Sequence, residues 1–60
     1  MDDEFRAYEN GRSDGIAARR DAGRAEDPAF GRDYRIGFLD GRLEVFRMHA
    51  AARKIAEERE

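Results

Sequence analysis

The apolar residues of this 60-residue chain recur three and four positions apart along most of its length. This spacing is typical of helices that bury one face, and the few β-branched residues form no strand pattern. The sequence predicts two helices, over residues 3–22 and 28–57. Gly23 suits the position that ends a helix. Asp27-Pro28 suits the start of the next, because aspartate caps helices and proline is favoured at their first residue.

The short connection between the two predicted helices makes them antiparallel neighbours. The predicted fold class is therefore all-α, an antiparallel two-helix hairpin in which residues 1–60 form a single small helical domain. A chain of this size buries only about 60% of its unfolded surface, and it has no cysteine for a disulfide. A partner chain is thus the favoured source of additional stability.

One motif occurs twice: Tyr-x-x-Gly-x-x-Asp-Gly covers residues 8–15 and again residues 34–41. Glycine inside a helix costs about 1 kcal/mol relative to alanine, so four helical glycines require a reason. The spacing predicts close helix packing with each tyrosine over a glycine of the other copy, Tyr8 over Gly41 and Tyr34 over Gly15. Admission of a ligand or phosphate is the alternative. The residues assigned to this packing are Tyr8, Gly11, Gly15, Tyr34, Gly37, Phe38 and Gly41.

Apolar residues also form a second stripe, on the side of the second helix away from the first. One short helix cannot cover both faces, and about the last ten residues of the second helix should extend beyond the first. We expect another chain to cover this stripe, with a symmetric homodimer that forms a four-helix bundle as the default. The alternative is an oblique first helix that covers part of each face. The predicted partner interface comprises Ile36, Leu39, Leu43, Phe46 and Ala50.

The inventory of reactive side chains is small: one histidine, one serine, and neither cysteine nor threonine. A catalytic site needs a nucleophile, base or metal held in a pocket, and zinc sites commonly need several histidine or thiolate ligands. We therefore predict no enzyme activity, no catalytic residues, no cofactor, no metal site and no small-molecule substrate. No apolar run reaches the roughly 18 residues of a membrane span, so the chain is expected to be cytoplasmic and not membrane-bound.

Charged residues make up 43% of the chain, but the formal net charge is only −2. This balance argues against strong non-specific binding to nucleic acid, which needs an excess of positive charge. Eleven of the twelve basic residues are arginines, whose guanidinium groups suit paired contacts with phosphate or carboxylate. The side chains selected as contacts with RNA or an acidic protein surface are Arg32, Arg35, Arg42, His49 and Arg53.

Three short patterns occur in order along the chain: Tyr8-x-x-Gly11, Pro28 and Tyr34-x-x-Gly37-Phe38. Together they resemble the ribosome modulation factor family, whose members are short two-helix bacterial proteins. The resemblance implies association with the ribosome or ribosomal RNA and a role in translation regulation. The slightly negative charge leaves an alternative open: a protein-binding regulator or inhibitor, for example from a phage or another mobile element, that docks through the second stripe.

Overall fold

A computed structural model describes residues 2–58; Met1, Arg59 and Glu60 of the predicted domain lie outside the described residues. Three helices follow one another: α1 (Asp3–Ala17), α2 (Ala22–Ala25) and α3 (Gly31–Glu58). No strand occurs within residues 2–58. The predicted all-α class is confirmed, and the long helix α3 packs against α1.

α1 begins where the sequence suggested but ends earlier. The side chain of Asp2 accepts a hydrogen bond from the backbone nitrogen of Phe5 at 3.1 Å. Two further acidic residues occupy the first turn, where negative charge is favoured by the helix dipole. The helix stops at Ala17, because Ala18 adopts a left-handed conformation with a φ of 57°. The predicted end near residue 22 is therefore wrong.

The end of α1 is a Schellman motif. The backbone nitrogen of Arg19 donates to the carbonyl oxygen of Asp14 at 2.8 Å, and the nitrogen of Ala18 donates to that of Gly15 at 3.2 Å. A left-handed residue at this position is usually glycine, which has no Cβ to strain the backbone. Because position 18 is an alanine, the sequence does not indicate that a helix ends there. Gly23, which the sequence analysis placed at the helix end, lies inside α2.

Aspartates also start the later helical segments. Asp21 caps α2 through its side chain. The carboxylate of Asp27 accepts hydrogen bonds from the backbone nitrogens of Ala29 and Phe30 at 2.8 and 3.0 Å. Its carbonyl oxygen accepts one from Gly31 at 2.8 Å. The predicted capping role of Asp27 is confirmed, although a short turn precedes α3, so that the helix begins at Gly31 rather than at the proline.

α1 and α3 run in the same direction, so the predicted antiparallel arrangement is wrong. Near the start of the contact Tyr8 lies against Gly37, and near its end Ile16 lies against Gly41. Contacts thus advance together along both helices, whereas in an antiparallel pair one series would run backwards. The early end of α1 explains the difference, because it leaves residues 18–30 as a connection long enough to return along the pair before α3 begins.

The buried core is small, and α3 extends well beyond it. Among the described residues, Ala25 and Tyr34 are the buried apolar side chains, at 0% and 1% exposure. The last partly buried positions of α3 are Glu44 and Val45, and residues 46–58 are all exposed. The overhang is longer than the ten residues expected, because α1 is shorter than the sequence predicted.

Candidate interaction surface

The contact between α1 and α3 is made by glycine backbone. We call it the glycine contact, and its members, all buried, are Gly11, Gly15, Gly37 and Gly41. A Cβ built on Gly37 would overlap the carbonyl oxygen of Tyr8. The equivalent Cβ on Gly11 would overlap the carbonyl oxygen of Tyr34. The glycines therefore let two helix backbones approach more closely than any side chain would allow, as small residues four apart do in transmembrane helix pairs.

The two copies of the motif meet reciprocally, but not in the predicted pairs. Gly11 meets the backbone of Tyr34, and its counterpart Gly37 meets the backbone of Tyr8. The motif copies are thus related by a pseudo-two-fold axis that runs between parallel helices. The atoms nearest to a Cβ built on Gly41 belong to the backbone of α1 and not to the Tyr8 ring. Backbone, rather than an aromatic ring, fills the space that the glycines leave.

Each tyrosine of the motif binds the aspartate of the other copy. The hydroxyl of Tyr8 donates to Oδ2 of Asp40 at 2.6 Å, and the hydroxyl of Tyr34 donates to Oδ2 of Asp14 at 2.6 Å. The Tyr34 oxygen also accepts a hydrogen bond from the backbone nitrogen of Asp21 at 2.8 Å. This buried side chain therefore joins α1, the start of α2 and α3.

Both tyrosines have a pKa above the ordinary value of 10.0. For Tyr34 the main cause is burial, which disfavours the charged phenolate, and the hydrogen bond to Asp14 raises the pKa further. For Tyr8 the main cause of the raised pKa is the hydrogen bond to the Asp40 carboxylate. Both hydroxyls are therefore protonated at neutral pH, as their role as donors to the aspartates requires.

The second apolar stripe lies on the side of α3 that faces away from α1. We call it the outer stripe, and its members are Ile36, Leu39, Leu43, Phe46 and Ala50. The four large side chains are 42%, 62%, 51% and 70% exposed in that order, and Ala50 is exposed as well. Because the buried positions of α3 lie on the opposite face, α1 leaves the outer stripe open.

The overhang of α3 exposes two further apolar side chains, Met48 and Ile55, at 64% and 58%. A rotation of 100° per residue places them on the face that α1 covers earlier in the helix. They are exposed because α1 ends before it reaches them. Since they share the helix but not the outer stripe, they provide matched control positions.

Two of the arginines selected as RNA contacts are used inside the chain. Arg35 donates to the carbonyl oxygen of Ala25 at the end of α2. Arg42 donates to the carbonyl oxygen of Gly15 at 3.3 Å, in the last turn of α1. Carbonyl groups at helix C-termini lack helical partners, and basic side chains commonly satisfy them. These two arginines therefore stabilise the return of the chain.

The other three selected side chains lie on exposed parts of α3. Arg53 pairs with Glu57 at 3.2 Å one turn further along the helix, an exposed ion pair of the kind that contributes at most about 1 kcal/mol. Within residues 2–58, neither Arg32 nor His49 has a hydrogen-bond or salt-bridge partner for its side chain. The structure thus brings the five side chains to no common site, since some face helix ends and others face solvent.

A cleft of about 240 Å³ lies between the starts of α1 and α3, where Asp3 and Ala7 face Phe30 and Tyr34. This volume is below the 300–1,000 Å³ typical of small-molecule sites. Two larger depressions, of about 530 and 370 Å³, fall within that range and are lined mainly by charged side chains. Within residues 2–58, no three histidine, aspartate or glutamate side chains are grouped as metal ligands would be. None of the helices in this part of the chain combines the length and apolar character of a membrane span.

No protein-family model matches this sequence, and no curated protein or solved structure matches it at a significant level. The resemblance to the ribosome modulation factor family therefore stays a prediction, and so do the homodimer and the RNA contacts. The functional proposals below are therefore based on the geometry of the chain itself. The main feature of that geometry is the outer stripe, whose large apolar side chains are exposed.

Sequence reasoning missed the polar contacts that hold α1 on α3. Asp14 and Asp40 were not among the predicted packing residues, yet each binds a tyrosine of the other motif copy. The recurrence of aspartate at the same place in both copies was the available signal. The salt bridge between Arg12 and Glu44, at 2.8 Å, had no such signal, because neither residue recurs.

Proposed function

We propose that this chain acts by binding rather than by catalysis, and that it docks on another protein chain through the outer stripe. The observation that carries this proposal is the exposure of four large apolar side chains along one face of α3, while α1 packs against the opposite face. Contiguous apolar surface of this kind is what protein interfaces bury.

The energy available on the outer stripe is large for so small a domain. Full burial of a leucine, isoleucine or phenylalanine side chain contributes about 1.5–3 kcal/mol. The four side chains are roughly half exposed, so covering the remainder contributes about 3–6 kcal/mol before the cost of association. A domain of this length has a total stability of about 3–9 kcal/mol. A partner on this face would therefore strengthen the fold as well as bind it.

The test compares two aspartate substitutions on α3. Leu43→Asp places a charge at the centre of the outer stripe, whereas Ile55→Asp makes a similar change at an exposed apolar position outside it. Capture of binding partners from lysate, together with sedimentation of the purified chain, measures the effect. We expect association to be lost in Leu43→Asp and kept in Ile55→Asp. Equal behaviour of the two variants would show that the outer stripe is not the docking surface.

A second proposal is that the chain associates with the ribosome or ribosomal RNA, as the family resemblance implies. Its support is a set of exposed basic side chains that have no hydrogen-bond or salt-bridge partner within residues 2–58, among them Arg19, Arg20, Arg32 and Arg47. Binding carried by phosphate contacts weakens steeply as salt rises. Co-sedimentation with ribosomes at about 50 and 200 mM salt therefore separates the two proposals, since docking through the outer stripe should persist at the higher concentration.

A further inference from the structure

The outer stripe belongs to a longer heptad series on α3. Continuing its alternating spacing of three and four residues adds charged positions at both ends. A helix with this repeat pairs with another helix along the resulting seam. This inference rests on the proposed function, because it names the chain that docks there. In order, the seam reads Arg32, Ile36, Leu39, Leu43, Phe46, Ala50, Arg53 and Glu57.

We propose that the chain docked on the outer stripe is a second copy of this protein, with its α3 antiparallel to the first. The two-fold axis passes between Glu44 and Val45, the midpoint of α3, so that the two helices overlap over their whole length. Apolar layers lie at the centre and charged residues at the ends. The facing pairs, from the axis outward, are Leu43 with the partner's Phe46, Leu39 with the partner's Ala50, Ile36 with the partner's Arg53, and Arg32 with the partner's Glu57.

Charge complementarity selects this arrangement. One edge of the seam carries two acidic and then two basic residues: Asp33, Asp40, Arg47 and Lys54. Antiparallel pairing places Asp40 opposite the partner's Arg47, and Asp33 opposite the partner's Lys54. On the other edge it places Arg42 opposite the partner's His49, so attractive contacts outnumber contacts between basic residues by two to one. The two-fold axis repeats each contact, and charges beside a heptad seam decide partner and orientation.

The competing arrangements bring like charges together. A parallel pair would place Arg42 beside the partner's Arg47 and His49 beside the partner's Lys54, and its one attractive edge contact would join Arg35 to the partner's Asp40. An antiparallel pair displaced by one heptad would place Asp40 against the partner's Asp40 in one direction, or Arg47 against the partner's Arg47 in the other, and would keep one kind of attractive contact on this edge instead of two. Like charges that face each other across an interface disfavour it.

The groups that this pairing needs are available in the single chain. Arg47 and Lys54 are exposed, and neither has a hydrogen-bond or salt-bridge partner within residues 2–58. Asp40 uses Oδ2 to bind Tyr8, which leaves its other carboxylate oxygen for a partner. α1 lies on the opposite face of α3, so the dimer has four long helices, with the two α1 helices on the outside.

Sedimentation equilibrium up to about 100 µM, followed by distance measurement between spin labels, tests the pairing. The chain has no cysteine, so Ile55→Cys gives a single labelling site off the seam. In the proposed dimer the two labels lie about 21 residues, or about 32 Å, apart along the helix axes. A displacement by one heptad changes the separation to about 42 Å in one direction or about 21 Å in the other, and a parallel pair reduces it to the width of the helix pair. Any of these distances would overturn the proposed register.

Charge reversal at one edge position provides a second test. Arg47→Glu should weaken self-association about tenfold, because two attractive contacts per dimer become repulsive. The double variant Ala51→Glu with Ala52→Glu makes the same change in net charge away from the seam and should leave association unchanged. Stronger association of Arg47→Glu would indicate the parallel pair, where the new glutamate meets Arg42.

Complementary variants complete the design. Asp40→Lys should also weaken self-association, whereas an equimolar mixture of Asp40→Lys and Arg47→Glu should associate as the unchanged chain does, since opposite charges face each other again. Circular dichroism of each variant checks that the helices are intact. A monomer at 100 µM would overturn the homodimer. The proposed function would still stand if Leu43→Asp, but not Ile55→Asp, abolished capture of another protein.

Discussion

Replacing Gly37 with alanine adds one methyl group where α3 meets the backbone of α1. The new Cβ would overlap the carbonyl oxygen of Tyr8, and it would lie 2.9 Å from both the carbonyl carbon of Tyr8 and the backbone nitrogen of Arg12. These atoms belong to a helix backbone and not to a flexible side chain. The clash is therefore relieved only if the two helices separate.

Two effects of opposite sign determine the free energy of unfolding of Gly37→Ala. Alanine favours the helix over glycine by about 1 kcal/mol. Overpacking a close contact costs about 1–3 kcal/mol, and the upper end applies because separating the helices also weakens the contacts along the whole interface. We expect a net loss of about 2 kcal/mol, which is a large part of the roughly 3–9 kcal/mol available to a domain of this length.

Urea unfolding followed by circular dichroism measures this loss, and Gly23→Ala is the matched control. A Cβ on Gly23 meets only the Asp21 side chain, at an ordinary distance of 3.4 Å. Helix propensity alone should then keep or slightly raise the stability of the control. If Gly37→Ala proved as stable as the control, the close approach of the backbones would be refuted.

Three further predictions concern the ends and the polar contacts of the helices. Tyr34→Phe removes the hydrogen bonds to Asp14 and Asp21 and should lower the free energy of unfolding by about 1.5–3 kcal/mol; a loss below 0.5 kcal/mol in urea unfolding would contradict the buried contact. Ala18→Gly relieves the left-handed backbone and should raise thermal stability by about 1 kcal/mol; lower stability would argue against that helix end. The folded state raises the pKa of Tyr8 and of Tyr34 above 10.0. Their contribution to stability is therefore complete below pH 10 and is lost as the pH rises through the raised pKa values. Circular dichroism should show this alkaline unfolding in the unchanged chain and not in the double variant Tyr8→Phe with Tyr34→Phe.

The sequence by itself determined the local features of this protein. Apolar spacing identified the two long helices but not the short α2, and Asp27 marked the approach to α3, because periodicity and capping depend on residues within one or two turns. The same spacing identified the outer stripe, which the structure leaves exposed. The repeated glycines indicated close packing, since helical glycine is unfavourable without such a reason.

The tertiary structure alone decided how the helices are arranged. Ala18 takes a conformation that costs an alanine about 1–2 kcal/mol, and nothing near it in the sequence predicts that choice. Contacts between residues far apart in the chain offset this cost, among them the bonds that Tyr34 makes to Asp14 and Asp21. Once α1 ends at Ala17, the connection is long enough to return, and α3 packs parallel to α1. Local patterns define helices, but their direction depends on which distant surfaces fit together.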